Sequence, residues 1–197
     1  MTNRKNIFKL ATMLVFLFFG LTEGTSQVAK GIIRLGPELA YSSASQEIDG
    51  FNAKFKTTTL NLQLSGGYFV IDNLEIGLGV NLSSTENKVD SNEETTSGTA
   101  IGPNVTYMVP IGENFYLPIS GGIGYNSLTI DDDFNETNLS GLAYGVGVGV
   151  EYLVSNKIGA RFSLIFNSGS LQDNDSELEL DVTTTQAGIG VNIYLNR

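Results

Sequence analysis

Gly141-Leu142-Ala143-Tyr144-Gly145-Val146-Gly147-Val148-Gly149-Val150-Glu151-Tyr152 alternates without a break. Its even positions are Leu, Tyr, Val, Val, Val and Tyr; its odd positions are Gly, Ala, Gly, Gly, Gly and Glu. A two-residue period with one apolar and one contrasting face is a strand pattern, not the 3.6-residue period of a helix. The same alternation recurs outward from this stretch. Leu60, Leu62, Leu64 and Tyr68 carry it, as do Leu74 to Leu82, Ile158 to Phe166, and Ala187 to Leu195. Less regular segments at about 31–43, 99–109 and 115–126 bring the expected strands to eight. Short connectors fall at Ile71-Asp72-Asn73, Pro110 to Asn114 and Ser155-Asn156-Lys157, with long polar ones at about 44–56, 84–98, 127–138 and 168–181. Asn73, Asn114 and Asn156 are 41 and 42 residues apart. A period of that size with two strands per repeat is a hairpin repeat, whereas a propeller blade needs four.

Eight strands of roughly 9–13 residues close into an antiparallel up-and-down barrel, which leaves no exposed edge. A soluble lipocalin-like barrel puts its apolar face inside; a transmembrane barrel puts it outside. Three features select the second. The polar face is crowded with glycine (Gly77, Gly79, Gly145, Gly147, Gly149, Gly188, Gly190), which suits a narrow interior. The apolar face carries no charge within a strand from Leu60 to Leu195. Aromatics sit near the strand ends in two rows, Tyr68, Tyr107, Phe115 and Tyr152 at one rim and Tyr41, Tyr125 and Phe166 at the other. Pro37, Pro103 and Pro118 fall inside strands, where each removes a ladder donor, and bulges are expected there.

Arg4, Lys5 and Lys9 precede and enter a nearly unbroken apolar run from Ile7 to Phe19, and Gly24 and Ser26 make a small-x-small site before Gln27. The run is shorter than the roughly 20 residues of a spanning helix. Residues 1–26 therefore read as a secretory signal peptide, and 27–197 as the barrel domain. Apolar residues at 41% and charged residues at 16% of 197 exclude a mainly disordered chain. With no Cys and no His, disulfides, thiolate nucleophiles, His bases and His-ligated zinc are excluded. Eleven basic against 21 acidic residues argue against nucleic acid as a partner.

Tyr68-Phe69-Val70-Ile71-Asp72-Asn73-Leu74-Glu75-Ile76-Gly77-Leu78-Gly79 resembles the second-to-third-strand hairpin of small outer-membrane barrels of the OmpX/OmpA kind, grouped as the outer-membrane β-barrel domain family. The resemblance covers about 30–197 and implies a Gram-negative cell outer membrane, a largely non-enzymatic role and surface loops that carry adhesion or defence. The ending Tyr194-Leu195-Asn196-Arg197 departs from the terminal aromatic common in such barrels.

No catalytic constellation is visible and no cofactor is expected. Gly145-x-Gly147-x-Gly149 lacks both the spacing and the strand-to-helix context of a nucleotide loop. The acidic stretches Asp131-Asp132-Asp133 and Asp173 to Glu179 lack the twelve-residue calcium loop. The four long connectors hold 15 of the 21 acidic residues and only three basic ones, Lys54, Lys56 and Lys88. A structural or surface-binding role through these loops is expected, with outer-membrane lipid as solvent, divalent ions or lipopolysaccharide as candidate partners, and a monomeric barrel. A narrow pore and an outer-membrane enzyme are the alternatives. Five strand residues place charge on the Gly-rich face: Arg34, Glu38, Glu75, Glu151 and Arg161. Strand direction gathers them at one end of the lumen, near Tyr116 and Tyr194. If Ser155-Asn156-Lys157 is a three-residue turn, Val154 faces Ile158 and Glu151 faces Arg161. A narrow interior desolvates charge, so a paired network closing the barrel is expected. Mature protein should begin at Gln27 in intact-mass spectrometry; a mass that retains Phe16 to Phe19 refutes the leader.

Overall fold

The computed structural model describes residues 28–47, 54–89, 92–131, 136–173 and 179–195. The expected leader, 1–26, lies outside the described residues, as do 132–135 and 174–178 of the acidic connectors and the last two residues. Eight strands follow in order: β1 (Ile33–Glu47), β2 (Lys54–Ile71), β3 (Leu74–Val89), β4 (Asn92–Pro110), β5 (Phe115–Asp131), β6 (Glu136–Ser155), β7 (Ile158–Asp173) and β8 (Glu179–Leu195). Each pairs antiparallel with the next, and β1 with β8, into a closed barrel.

The two faces separate as the alternation demands. Val146 is 58% and Leu142 71% exposed on the outside, while Arg34 is 2% and Glu75 0% exposed in the lumen. Above the apolar belt the outward positions turn to hydroxyls, for example Thr99 before Ile101, Ser140 before Leu142 and Thr185 before Ala187. Phe115 and Tyr152 stack at the short-turn rim with ring centroids 4.8 Å apart.

The strands are longer than the sequence pattern suggests. β4 has 19 residues and β6 has 20. Much of the expected long connectors at 44–56, 84–98, 127–138 and 168–181 is therefore paired strand, with only 90–91 left between β3 and β4. A strand with polar groups on both faces has no apolar contrast, so its period is invisible, yet its backbone pairs all the same. Cross-strand hydroxyl and amide bonds accompany the pairing: Thr57 Oγ1 donates to Asn87 Oδ1 at 2.9 Å, and Thr59 and Thr85 hydroxyls lie 3.1 Å apart.

The prolines interrupt ladders without bulging them. Pairs are missing between Leu35↔Ile193 and Glu38↔Gly190, between Ile101↔Tyr125 and Asn104↔Gly122, and between Tyr116↔Glu151 and Ile119↔Val148. Register is unchanged across each gap, and each proline still faces a partner on its other side, such as Pro37↔Leu64. One lost N–H thus breaks one side of one strand. The irregularities lie instead at the short turns, between Phe69 and Ile71 and between Leu153 and Ser155. Val154 is consequently the extra residue there, and Ile158 pairs with Ser155 rather than with Val154; Glu151↔Arg161 holds nonetheless.

The short-turn end is closed by a segment that the strand pattern does not mark. Residues 28–32 run beneath the β2–β3 turn. Val28 N donates to Asn73 Oδ1 at 2.9 Å and Asn73 N to Val28 O at 2.8 Å, while Lys30 N donates to Asp72 Oδ1 at 2.8 Å. Asn73 sits at φ 62°, a left-handed conformation that Asn tolerates better than other residues with side chains. Val28 and Ile32 pack with Phe69, Met108, Tyr116, Leu153 and Tyr194 into a buried apolar layer. Val146→Arg or Val191→Arg should lower folding stability in lipid by about 2–4 kcal/mol, whereas Asn92→Arg should not. Equal urea midpoints for the three variants in liposomes refute the outward assignment.

Candidate functional site

Above the apolar layer lies a layer of charge. Arg34 on β1 grips Glu75 on β3 with two bonds, Nε to Oε2 at 2.6 Å and Nη2 to Oε1 at 2.9 Å. Its Nη1 donates to Asn192 Oδ1 on β8 at 2.7 Å and reaches Ser65 Oγ at 3.3 Å. Asn192 passes the polarity on: its Nδ2 donates to Glu151 Oε2 on β6 at 2.6 Å. Tyr194 OH donates to the other oxygen of Glu151 at 2.5 Å. Glu75–Arg34–Asn192–Glu151–Tyr194 is thus one continuous chain of side chains across four strands. Glu75, Glu151 and Tyr194 are fully buried.

The other two expected members form a second group. Ser163 Oγ donates to Glu38 Oε1, and Arg161 Nε lies 3.8 Å from Glu38 Oε2. Arg161 and Glu151 are cross-strand neighbours, but the Glu151 carboxylate turns to Asn192 and Tyr194. Sequence alone located the five charges and the proximity of Tyr194. It missed Asn192, Ser65 and Ser163, which read as ordinary polar positions of the lumen face. It also missed why particular glycines stand where they do. A Cβ at Gly67 would meet Glu75 Oε1 at 2.1 Å, at Gly159 it would meet Glu151 Oε1 at 2.3 Å, and at Gly188 Glu38 Oε1 at 2.3 Å. Each buried carboxylate lies over a glycine that leaves it room.

Above the charge layer the lumen widens into a cavity of about 430 Å³, floored by Arg34, Glu38 and Arg161 and walled largely by amides and hydroxyls. Among the described residues no cluster of three acidic or other ligating side chains is arranged to hold a metal ion.

The family model described as outer membrane protein beta-barrel domain matches residues 11–194. No curated protein matches the chain. Among solved structures, the chain is similar to neisserial surface protein A at 15% identity, covering 83% of this chain and 97% of that one with a TM-score of 0.60. OprG from Pseudomonas aeruginosa aligns at 16% identity over 86% of this chain and 98% of that one, TM-score 0.57. Ail, the attachment invasion locus protein of Yersinia pestis, aligns in its complex with the heparin analogue sucrose octasulfate at 11% identity over 84% and 99%, TM-score 0.54. At these identities the likeness shows the fold.

Breaking the bidentate pair strands a buried carboxylate, so Arg34→Ala should destabilise the barrel by about 3–5 kcal/mol. Arg161→Ala, whose ion pair is longer, should cost less. Glu151→Gln should cost about 1–3 kcal/mol, because both oxygens accept and an amide answers only one donor. Thermal unfolding in detergent ranks the three; Arg161→Ala falling further than Arg34→Ala overturns the assignment.

Proposed function

The chain belongs to the outer membrane protein β-barrel domain family, and on that premise we propose that it acts as a non-enzymatic, monomeric barrel whose acidic external rim binds lipopolysaccharide through bridging divalent ions. Its location is the outer membrane. The observation that carries the reading is strand length. A tilted strand needs about 9–11 residues to span a bilayer, yet the strands run from 15 to 20 residues. The surplus lies at the end away from the short turns, as hairpins that lift the acidic connectors clear of the belt. Short turns face the periplasm in such barrels and longer connections face outside.

Two further observations support a binding rather than a catalytic or conducting role. Glu75 and Glu151 are committed to buried partners and Glu38 to Ser163. With no His or Cys in the chain, no activated nucleophile remains among the described residues. The charge layer and the apolar layer stand in series across the lumen, and they support a closed barrel rather than a pore. The loops set the sign of the partner. Ail is seen with a sulfated heparin analogue, but connectors with 15 acidic and three basic residues repel sulfates. Lipopolysaccharide phosphates need a divalent ion between them and such a rim.

The test measures retention of the purified barrel on lipopolysaccharide-containing vesicles with magnesium and with a chelator, using reconstituted barrels that differ only in Asp→Asn and Glu→Gln changes at Asp131, Asp132, Asp133 and Glu136. Magnesium-dependent retention that the neutral loops abolish is expected. Retention indifferent to both refutes the rim; retention of a basic protein instead would assign the rim to that partner. Single-channel steps from the wild-type barrel in planar bilayers would refute the closed lumen.

A further inference from the structure

The lumen cavity has a chemistry of its own, independent of the rim. It is blind below, because Arg34, Glu38 and Arg161 floor it and the fully buried Glu75, Glu151 and Tyr194 lie beneath. Its volume of about 430 Å³ falls within the range of small-molecule pockets, about 300–1,000 Å³. Amides stand on both sides, Asn61, Asn81 and Asn104 on β2 to β4 and Asn126 and Asn167 on β5 and β7, with the apolar Ile165 next to Asn167 on the β7 lumen face.

Two lining residues carry unanswered polar atoms. Asn104 Oδ1 and Arg161 Nε are buried without a hydrogen-bond partner, and the Arg161 side chain is only 9% exposed. Such atoms are uncommon in folded proteins, since each forfeits a bond it would make to water. One is an acceptor and the other a donor, so the complementary molecule must both donate and accept.

Charge narrows the class. The floor groups Arg34, Arg161, Glu38, Glu75 and Glu151 carry two positive and three negative charges. An anion reaching Arg161 meets Glu38, 3.8 Å from its Nε, and passes acidic connectors on the way. A cation meets the two guanidinium groups. A neutral hydroxylated molecule meets neither penalty. A pyranose suits this lining, with hydroxyl edges for the amides and a C–H face for Ile165.

We infer that the lumen cup is a binding site for a neutral saccharide of monosaccharide size, seated between Asn104 and Ile165 above Arg161. The full barrel, isotope-labelled and folded into phosphocholine nanodiscs free of glycosidic detergent, tests this. Side-chain amide resonances of Asn and Gln are the readout. The probes are D-glucose, D-galactose and N-acetyl-D-glucosamine, with succinate and putrescine as charged counterparts. Saturable shifts are expected for at least one sugar, with half-saturation near ~1 mM as befits so small a ligand, and none for the charged probes. Asn104→Leu should weaken binding about tenfold or more, the worth of one buried hydrogen bond. Gly79→Val fills the cup by a second route, since a Cβ there meets only the Asn104 amide at 3.3 Å and a backbone oxygen at 4.0 Å. It should abolish the shifts while the backbone spectrum stays that of the folded barrel. Absence of saturation for all three sugars, equal response to succinate or putrescine, or undiminished binding in Gly79→Val overturns the inference and leaves a cup filled by water alone.

Discussion

Hydrocarbon offers no hydrogen bond to a backbone N–H or C=O, so each strand within the membrane must find its partners in its neighbours. Closing the sheet meets that demand, and most of the remaining architecture follows from it. Closure with eight strands fixes a lumen just wide enough for packed side chains, so a large one needs a small neighbour. Glycine then stands wherever another residue needs the space, as Gly67 does for Glu75 and Gly159 for Glu151. The alternation that announces the fold is thus the imprint of two opposite solvents on one ribbon. Outside, lipid selects Val, Leu, Ile and Tyr; inside, crowding selects Gly, Asn and Ser.

Charge in such a lumen is expensive unless each ion is both paired and hydrogen-bonded. The chain from Glu75 through Arg34 and Asn192 to Glu151 and Tyr194 meets that condition with neutral groups between the ions. Asn192 accepts from a cation at one end of its amide and donates to an anion at the other, an arrangement in which each bond polarises the next. Its place in the sequence is equally telling. Arg34 and Asn192 stand on β1 and β8, the two strands that close the barrel, and the ladder between those strands breaks at Pro37. Where the backbone bonds of the seam are missing, a buried side-chain bond crosses it.

The sequence disclosed the fold because the two faces differ in polarity over the belt. It disclosed five lumen charges because a charged residue on a Gly-rich face is conspicuous. It did not disclose their pairing, since side-chain reach in a closed barrel joins residues such as Arg34 and Asn192 that lie 158 positions apart. Glu151 was legible as the neighbour of Arg161 by register, but hydrogen-bond donors decide where a buried carboxylate turns, and Tyr194 and Asn192 supply two. Bulges were expected at prolines because a lost donor disturbs a ladder. The ladder instead tolerates a one-sided gap, while the tight turns at Asp72-Asn73 and Asn156-Lys157 absorb the extra residues. Residues 28–32 were illegible as a cap because their bonds are to backbone and to the turn residues Asp72 and Asn73, and a segment too short to show a period leaves no pattern to read.

The hairpins beyond the belt carry the same lesson in reverse. Burial of one face pins strand register, because a slip of one residue turns every side chain to the wrong side. That constraint holds from Leu142 to Tyr152 and weakens above Ser140, where the outer face turns polar and only a few lumen residues such as Leu139 and Leu171 stay buried. There the register is kept by pairs such as Thr129 with Asn138, at 2.9 Å, and Ser168 with Thr183, at 3.3 Å. Exposed hydrogen bonds of this kind stabilise weakly, about 0.2–1 kcal/mol each. The projecting ends therefore rest on a rigid, fully constrained base while remaining free to change sequence at little cost in stability. Binding residues gather on such ends for the same reason that the alternation fades there: neither lipid nor the packed lumen dictates their side chains.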